Sequence, residues 1–587
     1  MVAIRIQQFQ GMTPAVDDKL LPDNTGTWAV NTWLFDGKLL GFREPLVVHN
    51  LLNTAARSVF RVPKDFANTF SLVDSYWLEF LSVHTTVVRS PNTQRTDQTY
   101  YWCDGLTPPM MTSHSRIVAN NTAPTVGLSP PLLMGIPSPP NAPVVTPNPG
   151  FSTLLLSRSY TYTWVSSFGE EGAPAPPSPV FTEPADSTFD LVITVPSPAT
   201  MANRSLTHTR VYRTITSDQG NAEFYFVAEL PIATTAYHDA ASNDVIVLNE
   251  QMTSQTFDPP PEDLVGMVSL PNGMVAGWRE NQIWFCEPYQ LHAWPFKYMI
   301  GVDYPIVGLG VIGQTLIACT NTKPYAVTGT MPDQMAQAAI PLPEPCTSQG
   351  SIVSTELGVY YCSPSGLVMI SAGSGTVVTA KLLAKDDWQT LLNIRNLRAA
   401  MLLGTYYAFS TQDEGCFEKT AFENSAFEMH DFTGTRNGCF VEPRGAPTNF
   451  TLLQHEQPTY NVISDIWTGE VMIIRDEKVQ QVTITHTTAE GDYFWRSKLF
   501  QMGNKQNLSA VKCFYQLPME VLPADVGTRF KVFADGVLVE DRMLPASGQM
   551  FRLPNGYTAD TYQFELSGNL RIENIQIATS PKELRQV

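Results

Sequence analysis

Positive charge and long apolar runs are both scarce in this 587-residue sequence. No window holds about 18 uncharged apolar residues, so the sequence predicts no helical membrane span. The opening segment, MVAIRIQQFQGM, lacks the long apolar core of a secretory signal, and we therefore expect folding in a cytoplasm. The 37 basic and 55 acidic residues give a net charge of −18, whereas proteins that grip nucleic-acid phosphates are normally basic. Most of the surface should repel DNA, although acidic charge also serves plain solubility.

Sequence motifs of catalysis and cofactor binding are also missing. There is no phosphate-binding glycine loop, no H-E-x-x-H zinc motif and no G-x-S-x-G nucleophile elbow. The eight cysteines form no C-x-x-C pair and mostly stand in apolar runs such as IWFCEP, which is typical of reduced, buried thiols. They are Cys103, Cys286, Cys319, Cys346, Cys362, Cys416, Cys439 and Cys513. We expect no catalytic residue, no cofactor and no metal site.

A few short patterns resemble functional sites but have simpler interpretations. The glycine pair in Gly373-Ser-Gly375 is typical of a turn. Asp17-Asp18 lies in a predicted loop and Asp386-Asp387 at a predicted helix, where such pairs are usually solvated or helix-terminal charge rather than metal ligands. The segment Ser464–Gly469 has the residue types of a sialidase turn in a different order.

Adjacent aromatic residues offer a second weak hint of function. They occur at Tyr76-Trp77, Tyr100-Tyr101-Trp102 and Tyr360-Tyr361, and exposed aromatic pairs of this kind can stack on sugars. Alternation along a strand turns one member of each pair inward, so core packing explains most of these residues and subunit contacts explain the rest.

Strands dominate the predicted secondary structure. Proline (45) and glycine (37) are spread along the chain as turn signals, and aromatic and β-branched residues fill the runs between them. One helix is predicted at residues 380–403, because apolar residues recur there near helical spacing: Leu382, Leu383, Trp388, Leu391, Leu392 and Ile394.

One pattern recurs between residues 264 and 490: an apolar strand, a polar or glycine turn, and a second apolar strand. Its copies are MVAGWRENQIWFCEP, LIACTNTKPYAVTGT, GVYYCSPSGLVMIS, TYYAFSTQDEGCFEK and NVISDIWTGEVMIIRD. Their spacing of roughly forty to fifty residues is the blade length of a β-propeller, in which radial stacking buries faces that a lone hairpin leaves exposed.

We therefore predict a mainly β chain, consisting of a β-propeller with an inserted β-sandwich and a C-terminal β module. Proline-rich stretches such as NAPVVTPNPG and TFDPPPEDL suggest the boundaries. The predicted segments are an extended N-terminal arm with an Asp36-Gly37 hairpin (1–58), the first propeller or platform strands (59–118), the sandwich with its linkers (119–263), the propeller blades (264–490) and the C-terminal module (491–587).

Three passages, in this order, resemble the tail nozzle (tail tubular) proteins of short-tailed bacteriophages. Near the start, GMTPAVDDKLLPDNTGTWAVNTWLFDGKLLGFREP resembles the family's opening, with an A-x-N-x-x-L-x-x-G strand at Ala29 to Gly37. In the middle, YTWVSSFGEEGAPAPPS and TRVYRTITSDQGNAEFYFVAELP resemble the inserted fibronectin- or immunoglobulin-like sandwich of related phage proteins. At the end, WRSKLF, VFADG, FRLPNGY and IATSPKEL resemble the closing module.

The resemblance implies a virion structural protein and not an enzyme. Nozzle proteins form a homo-hexameric tube below the head-to-tail adaptor that joins the portal, and tail fibres or a needle attach to the tube. Genomic DNA passes through the lumen during ejection without sequence-specific binding. We expect assembly in the host cytoplasm, positive residues at subunit seams and carboxylates facing the channel. The candidate loops for such carboxylates are Thr411–Gly415 and Asp186–Thr188.

The alternative prediction is a receptor- or glycan-binding protein, such as a tail fibre or a depolymerase-like propeller. A propeller can hold two carboxylates across its central funnel as glycosidases require, but no motif marks such a pair in this sequence.

Overall fold

A computed structural model of the chain describes residues 4–585 except 35–36, 67–68, 73, 93–96, 119–129, 217–221, 372, 412–436, 442–449, 455–457, 483–488 and 519–525. The described chain is mainly β with many small sheets, as predicted. It divides into two compact units. The first comprises residues 1–83, 319–324 and 339–587, and the second comprises residues 84–318 and 325–338.

The first unit begins with strands from the start of the chain. They are β1 (Ile4–Gln7), β2 (Gln10–Met12), β3 (Thr25–Val30), β4 (Thr32–Trp33), β5 (Leu40–Gly41), β6 (Leu46–Asn50), β7 (Ser58–Pro63) and β8 (Ser75–Phe80). β4 and β5 pair as a hairpin, which agrees with the turn predicted at Asp36-Gly37, although Asp36 itself lies outside the described residues. β7 and β8 form a second hairpin.

The second unit holds three four-stranded antiparallel sheets. Their elements are β9 (Thr86–Arg89), β10 (Thr99–Cys103), β11 (Met110–Ser113), α1 (His114–Val118) and β12 (Leu132–Leu133); later in the chain come β21 (Gly266–Ser269), β22 (Val275–Arg279), β23 (Gln282–Phe285), β24 (Ile300–Gly301), β25 (Ile306–Ile312), β26 (Thr315–Thr320), β27 (Tyr325–Thr328) and β28 (Ala336–Ala339). Each sheet keeps its strands in chain order.

Residues 144–252 of the second unit form what we call the middle module. It comprises β13 (Val144–Asn148), β14 (Leu155–Arg158), β15 (Tyr160–Ser166), β16 (Phe181–Pro184), β17 (Thr188–Val192), α2 (Pro198–Arg204), β18 (Leu206–Thr216), β19 (Ala222–Pro231), β20 (Ala236–Asp239) and α3 (Asn243–Ile246). The sheets β13-β17-β20 and β15-β18-β19 share one core, to which Tyr162, Trp164, Phe189 and Val211 contribute. Because β12 pairs with β11, the strands of the preceding sheet extend beyond the boundary predicted at residue 119.

The remaining strands before residue 490 belong to the first unit. Most form four-stranded sheets, but residues 397–454 supply four strands of an eleven-stranded sheet that continues through β3. The elements are β29 (Val353–Ser354), β30 (Val359–Ser363), β31 (Gly366–Ser371), β32 (Ser374–Val377), α4 (Lys385–Leu391), β33 (Leu397–Leu402), β34 (Thr405–Ser410), β35 (Asn437–Val441), β36 (Phe450–Gln454), β37 (Thr459–Ser464), β38 (Val471–Arg475) and β39 (Lys478–Val482). The sheet of β37, β38 and β39 is completed by β6, from the start of the chain.

Both chain ends together build what we call the terminal module, which contains β1, β3 and β40–β47. The C-terminal strands are β40 (Tyr493–Ser497), β41 (Phe500–Gln506), β42 (Ala510–Gln516), β43 (Thr528–Ala534), β44 (Val537–Met543), β45 (Met550–Arg552), β46 (Ala559–Gly568) and β47 (Arg571–Ala578). β1 pairs with β47, and β3 lies between β36 and β40. The structure therefore differs from the extended arm predicted for residues 1–58, because alternating apolar residues such as Ile4 and Ile6 bury one face of β1 in the core.

The predicted helix at residues 380–403 is largely incorrect. Only Lys385–Leu391 is α-helical, with one further 3-10 turn at Ile394–Asn396, and Leu397–Leu402 forms β33, which pairs with β34. Leu397 and Ala399 face one core cluster, whereas Ala400 and Leu402 face another. A strand buried on both faces has no polar alternation, and its apolar run was therefore mistaken for a helical pattern.

The recurring hairpins of residues 264–490 are largely confirmed. Four of the five sequence copies fall on strand pairs, namely β22–β23, β26–β27, β30–β31 and β37–β38. In the remaining copy, β34 pairs with β35 at residues 437–441, so the connection is much longer than the predicted turn, and most of it lies outside the described residues.

Candidate functional surfaces and buried polar clusters

The cysteines confirm the prediction of buried thiols where the structure describes them. Seven are free and buried, and Cys416 lies outside the described residues. Burial raises the pKa of the thiols of Cys286, Cys362 and Cys513 to about 12. A thiol with so high a pKa holds almost no thiolate at neutral pH, and these groups are therefore poor nucleophiles and metal ligands.

The paired carboxylates and the glycine pair lie at a helix start or in turns, as the sequence predicts. Asp386 and Asp387 lie in the first turn of α4, where negative charge favours the helix dipole. Asp17 accepts the backbone N–H of Lys19 within an exposed turn. Gly373, with φ +86°, belongs to the turn between β31 and β32. Among the described residues, no group of three or more His, Cys, Asp or Glu side chains could hold a metal ion.

The aromatic pairs are mainly core residues. Trp77, Tyr100, Tyr101, Tyr360 and Tyr361 are all buried. Trp102 is buried as well, and Tyr76 is half-buried. Because a sugar-stacking platform needs exposed ring faces, these residues do not form one, and core packing accounts for them.

The segment Ser464–Gly469 connects two hairpins instead of forming a sialidase-type turn. We call the cluster of Arg61, Asp465 and Trp467 the latch. Both oxygens of Asp465 accept hydrogen bonds from Arg61 of β7, from Nε at 3.1 Å and from NH2 at 2.6 Å. The two side chains are almost completely buried. The indole N–H of Trp467 donates to the Arg61 carbonyl at 2.8 Å. This cluster joins the β7–β8 hairpin to the β37–β38 hairpin across 404 positions of sequence.

The other N–H groups of the Arg61 guanidinium donate hydrogen bonds within the β7–β8 hairpin. NH1 donates to the Ser75 hydroxyl at 3.1 Å, and NH2 donates to the Thr69 carbonyl at 2.8 Å. A buried charge of this kind is stable only when it is paired and hydrogen-bonded, as it is here. Asp465 stands in a segment that the sequence marks, but no local signal marks Arg61 as its partner.

A second buried carboxylate, Glu79 of β8, anchors the strand that completes the last small sheet. His49 Nε2 of β6 lies 2.9 Å from Glu79 Oε1, and the backbone N–H groups of Leu52 and Asn53 donate to the same carboxylate at 3.0 and 2.8 Å. Burial alone would raise the pKa of Glu79, but these hydrogen bonds outweigh burial, and the pKa lies below its usual value. The His49 ring stacks on Trp77, with centroids 5.2 Å apart.

The middle module has its own buried ion pair. Arg213 NH1 donates to Asp239 Oδ2 at 2.6 Å, and the Tyr160 hydroxyl donates to the same oxygen at 2.8 Å. Burial, together with the Asp239 charge, raises the pKa of Tyr160 far above its ordinary value, so the phenol stays protonated. Arg213, Asp239 and Tyr160 come from three different strands, which identifies the cluster as a structural tie.

These buried polar clusters stabilise the fold. Each pairs a carboxylate with a cation or an N–H donor inside the fold, and each joins elements that are distant in sequence. The pairing has no counterpart in the local sequence pattern, so sequence reasoning missed Arg61, Glu79, Arg213 and Asp239.

In the part of the chain that the structure describes, no helix has the length and hydropathy needed to cross a bilayer.

Comparison with known proteins gives no assignment. No protein-family model matches the chain, and no curated protein matches it significantly. Solved structures with a weak likeness include Hsv2 of Kluyvelomyces marxianus, at 8% identity over 63% of this chain and 95% of that chain, with a TM-score of 0.24. Another is BBS1N in complex with ARL6DN, at 9% identity over 46% of this chain and 86% of that chain, with a TM-score of 0.20. At these TM-scores the likeness assigns neither fold nor function.

Proposed function

We propose that this chain is the nozzle subunit of a short bacteriophage tail, a virion structural protein that forms a homo-hexameric tube below the head-to-tail adaptor. The observation that carries the proposal is the union of the opening and closing passages in one module. The Thr27 hydroxyl in the opening passage donates to the Ser497 carbonyl in the closing passage at 3.1 Å, across 470 positions. Two of the three passages that resemble the nozzle family therefore belong to one module, although they lie at opposite ends of the sequence.

In this proposal, the antiparallel sheets within each unit are blades of a β-propeller. The candidate blades are the β7–β8 hairpin, the sheets β9–β12, β21–β24, β25–β28 and β29–β32, strands β33–β36 at one end of the eleven-stranded sheet, and the sheet of β37–β39 with β6. Within the second unit β21 packs beside β9 and β25, and within the first unit β37 packs beside β33 and β7, which is how the first strands of adjacent blades meet. The use of β6 to complete the last sheet supports closure, because it joins the two ends of the blade series.

The middle module then corresponds to the inserted fibronectin- or immunoglobulin-like sandwich. Its two three-stranded sheets share a core, as expected of such a fold. It falls in the sequence between the sheets β9–β12 and β21–β24, which supports an insertion between two blades.

A conduit for DNA needs rigid walls and little affinity for phosphate. Net charge −18 supports weak adhesion, because few cations are available to replace the counterions of the duplex. The buried ion pairs at Arg61 and Arg213 use two of the arginines inside the fold, where they cannot reach DNA. Genomic DNA would thus pass through the tube without sequence-specific binding, and the adaptor, fibres or needle would be the partners at its ends.

Electron microscopy of the purified chain, with native mass spectrometry, tests the proposal. We expect sixfold rings with an axial channel wide enough for duplex DNA. In gel-shift titrations, we expect no retention of duplex DNA at physiological ionic strength. A stable trimer, release of reducing ends from a capsule polysaccharide, or a channel lined mainly by lysine and arginine would contradict the nozzle function. The first two of those results would favour the fibre or depolymerase alternative.

A further inference from the structure

The terminal module presents an open sheet face built from β3, β40, β46, β43 and β44. Strand alternation turns Tyr493, Trp495 and Phe564 into the core, so the intervening side chains point away from it. We call the outward side of these five strands the terminal sheet face. Its apolar members include Trp28, Phe533, Leu538 and Met543, all of them exposed or half-buried.

Cations outnumber carboxylates on the terminal sheet face. Arg496 and Lys531 flank a single carboxylate, that of Glu565: Arg496 Nε donates to Glu565 Oε1 at 2.6 Å, and Lys531 Nζ lies 3.7 Å from Glu565 Oε2. Beside them, Arg529 pairs with Asp541 through bonds of 2.5 and 3.0 Å. Aromatic side chains, methionine and arginine are the residues that protein interfaces favour. This composition contrasts with that of the chain as a whole, whose net charge is −18.

The middle module offers the opposite combination of charge and shape. Residues 144–250 carry eleven carboxylates, four arginines and no lysine. Two of the arginines, Arg158 and Arg213, are fully buried, and Arg210 is paired with Glu171 and Glu229. The module therefore exposes acidic charge almost without compensation.

One end of the middle module also exposes large apolar side chains. Asn148, the last residue of β13, pairs with the first residue of β17, and Asp239, the last residue of β20, pairs with Phe189. The loops 149–154, 185–187 and 240–248 therefore leave the sheet at one end, and we call them the distal loops. They carry Phe151 and Leu248, which are 97% and 85% exposed.

Hydrogen bonds hold the backbone of the loop around Phe151 in one conformation. The Asp186 carboxylate accepts the backbone N–H groups of Phe151 and Ser152 at 2.9 and 2.8 Å. At Gly150, a Cβ would lie 2.2 Å from the Asp186 side chain, so only glycine fits there. The fold thus fixes the backbone at an exposed aromatic residue, and a backbone that is already ordered loses little entropy on binding.

We propose that the terminal sheet face of one copy binds the distal loops of the middle module of a second copy. The inference rests on the proposed function and names the surfaces that join its subunits. Charge complementarity supports this occupant, because the sheet face has three cations to two carboxylates, whereas the distal loops carry Asp186 and Asp244 but no lysine or arginine. Asp186 would then lie at a subunit contact and not in the channel. Two different surfaces on one chain make a head-to-tail contact, and such contacts close into rings when their rotation allows it.

Photo-cross-linking between isotopically distinct copies tests the contact directly. The full chain with p-benzoylphenylalanine in place of Phe151 is mixed with a ¹⁵N-labelled chain, irradiated and digested. We expect cross-links from position 151 of one copy to the strands of the terminal sheet face of the other, which are residues 25–30, 493–497, 528–534, 537–543 and 559–568. The same photo-reactive residue at Leu357, an exposed position in the turn before β30, is the matched control and should give no such cross-link.

Charge reversal provides an independent readout. We expect the double variant Arg529→Glu/Lys531→Glu to weaken self-association at least about tenfold in sedimentation velocity, since it places like charges opposite the distal loops. Lys478→Glu, at an exposed turn pair with Asp476, is the control and should leave association unchanged. Thermal melts of each variant establish that the fold is intact.

The outcomes separate the inference from the proposed function. Sixfold rings whose cross-links from position 151 reach other regions, or none, would overturn the inference and leave the nozzle function standing. A chain that forms no ring and no cross-link between copies would overturn both. Cross-links to the terminal sheet face that charge reversal abolishes would support the contact.

Discussion

Removing the Asp465 carboxylate should open the latch between the β7–β8 and β37–β38 hairpins. Asp465→Ala leaves the buried Arg61 guanidinium without its counter-ion, while its bonds to Ser75 and Thr69 remain. Loss of one partner of a buried ion pair typically costs about 3–5 kcal/mol. Because the unpaired charge lies between the two hairpins, the cost should appear there as easier local opening.

Hydrogen exchange followed by mass spectrometry measures the free energy of this local opening. Since about 1.4 kcal/mol corresponds to a factor of ten, amides in both hairpins should exchange on the order of a hundred- to several-thousand-fold faster. A variant that replaces both charges with apolar groups, Arg61→Met/Asp465→Leu, should recover part of the loss, because it leaves no buried charge unpaired.

The exposed pair of Lys478 and Asp476 supplies the control, at 2.9 Å but largely in solvent. Lys478→Met should change exchange little, since exposed pairs contribute about 0–1 kcal/mol. The reasoning is refuted if Asp465→Ala leaves exchange in residues 58–80 and 459–475 at the wild-type rate.

Three further predictions follow from buried or crowded groups. The fold lowers the pKa of Glu79 from 4.5, so the carboxylate stabilises the protein above that pH, and this stabilisation is lost as the pH falls through the lower folded pKa. In thermal melts between pH 7 and pH 3, the melting temperature should fall more steeply for the wild type than for Glu79→Gln. Gly41→Ala would place a Cβ 1.8 Å from the Gly491 carbonyl oxygen, so we expect a loss of about 1–3 kcal/mol in denaturant unfolding, whereas Gly301→Ala, with open space around its Cβ, should cost less than half as much. The seven buried thiols should resist alkylation in the native protein and react on unfolding, as peptide mapping would record; rapid native labelling of any of them would contradict their burial.

Short-range patterns predicted the hairpins well and the long-range pairings poorly. The segments around Trp278 and Tyr361 fold as the sequence indicates, because an apolar run, a turn and a second run fix a hairpin locally. The run at Leu397–Leu402 was assigned to a helix, because a strand buried on both faces resembles a buried helix in its apolar content.

Polar pairing escaped sequence reasoning for a related reason. The residue types of Ser464–Gly469 are visible in the sequence, but the role of Asp465 depends on Arg61, which is 404 positions away. The same holds for Glu79 with His49 and for Arg213 with Asp239, which the fold brings together from separate strands.

The amino-acid sequence by itself determined that the chain is mainly β, that its cysteines are isolated in apolar runs and that its charge is strongly negative. These properties depend on composition and on the alternation of neighbouring residues, which act over a few positions. Tertiary structure alone decided that β1 and β3 complete a module formed by the other end of the chain, that β6 completes the last small sheet, and that Arg61 pairs with Asp465. Strand edges and buried charges accept partners from any distance along the chain, so local sequence cannot specify which partner they meet.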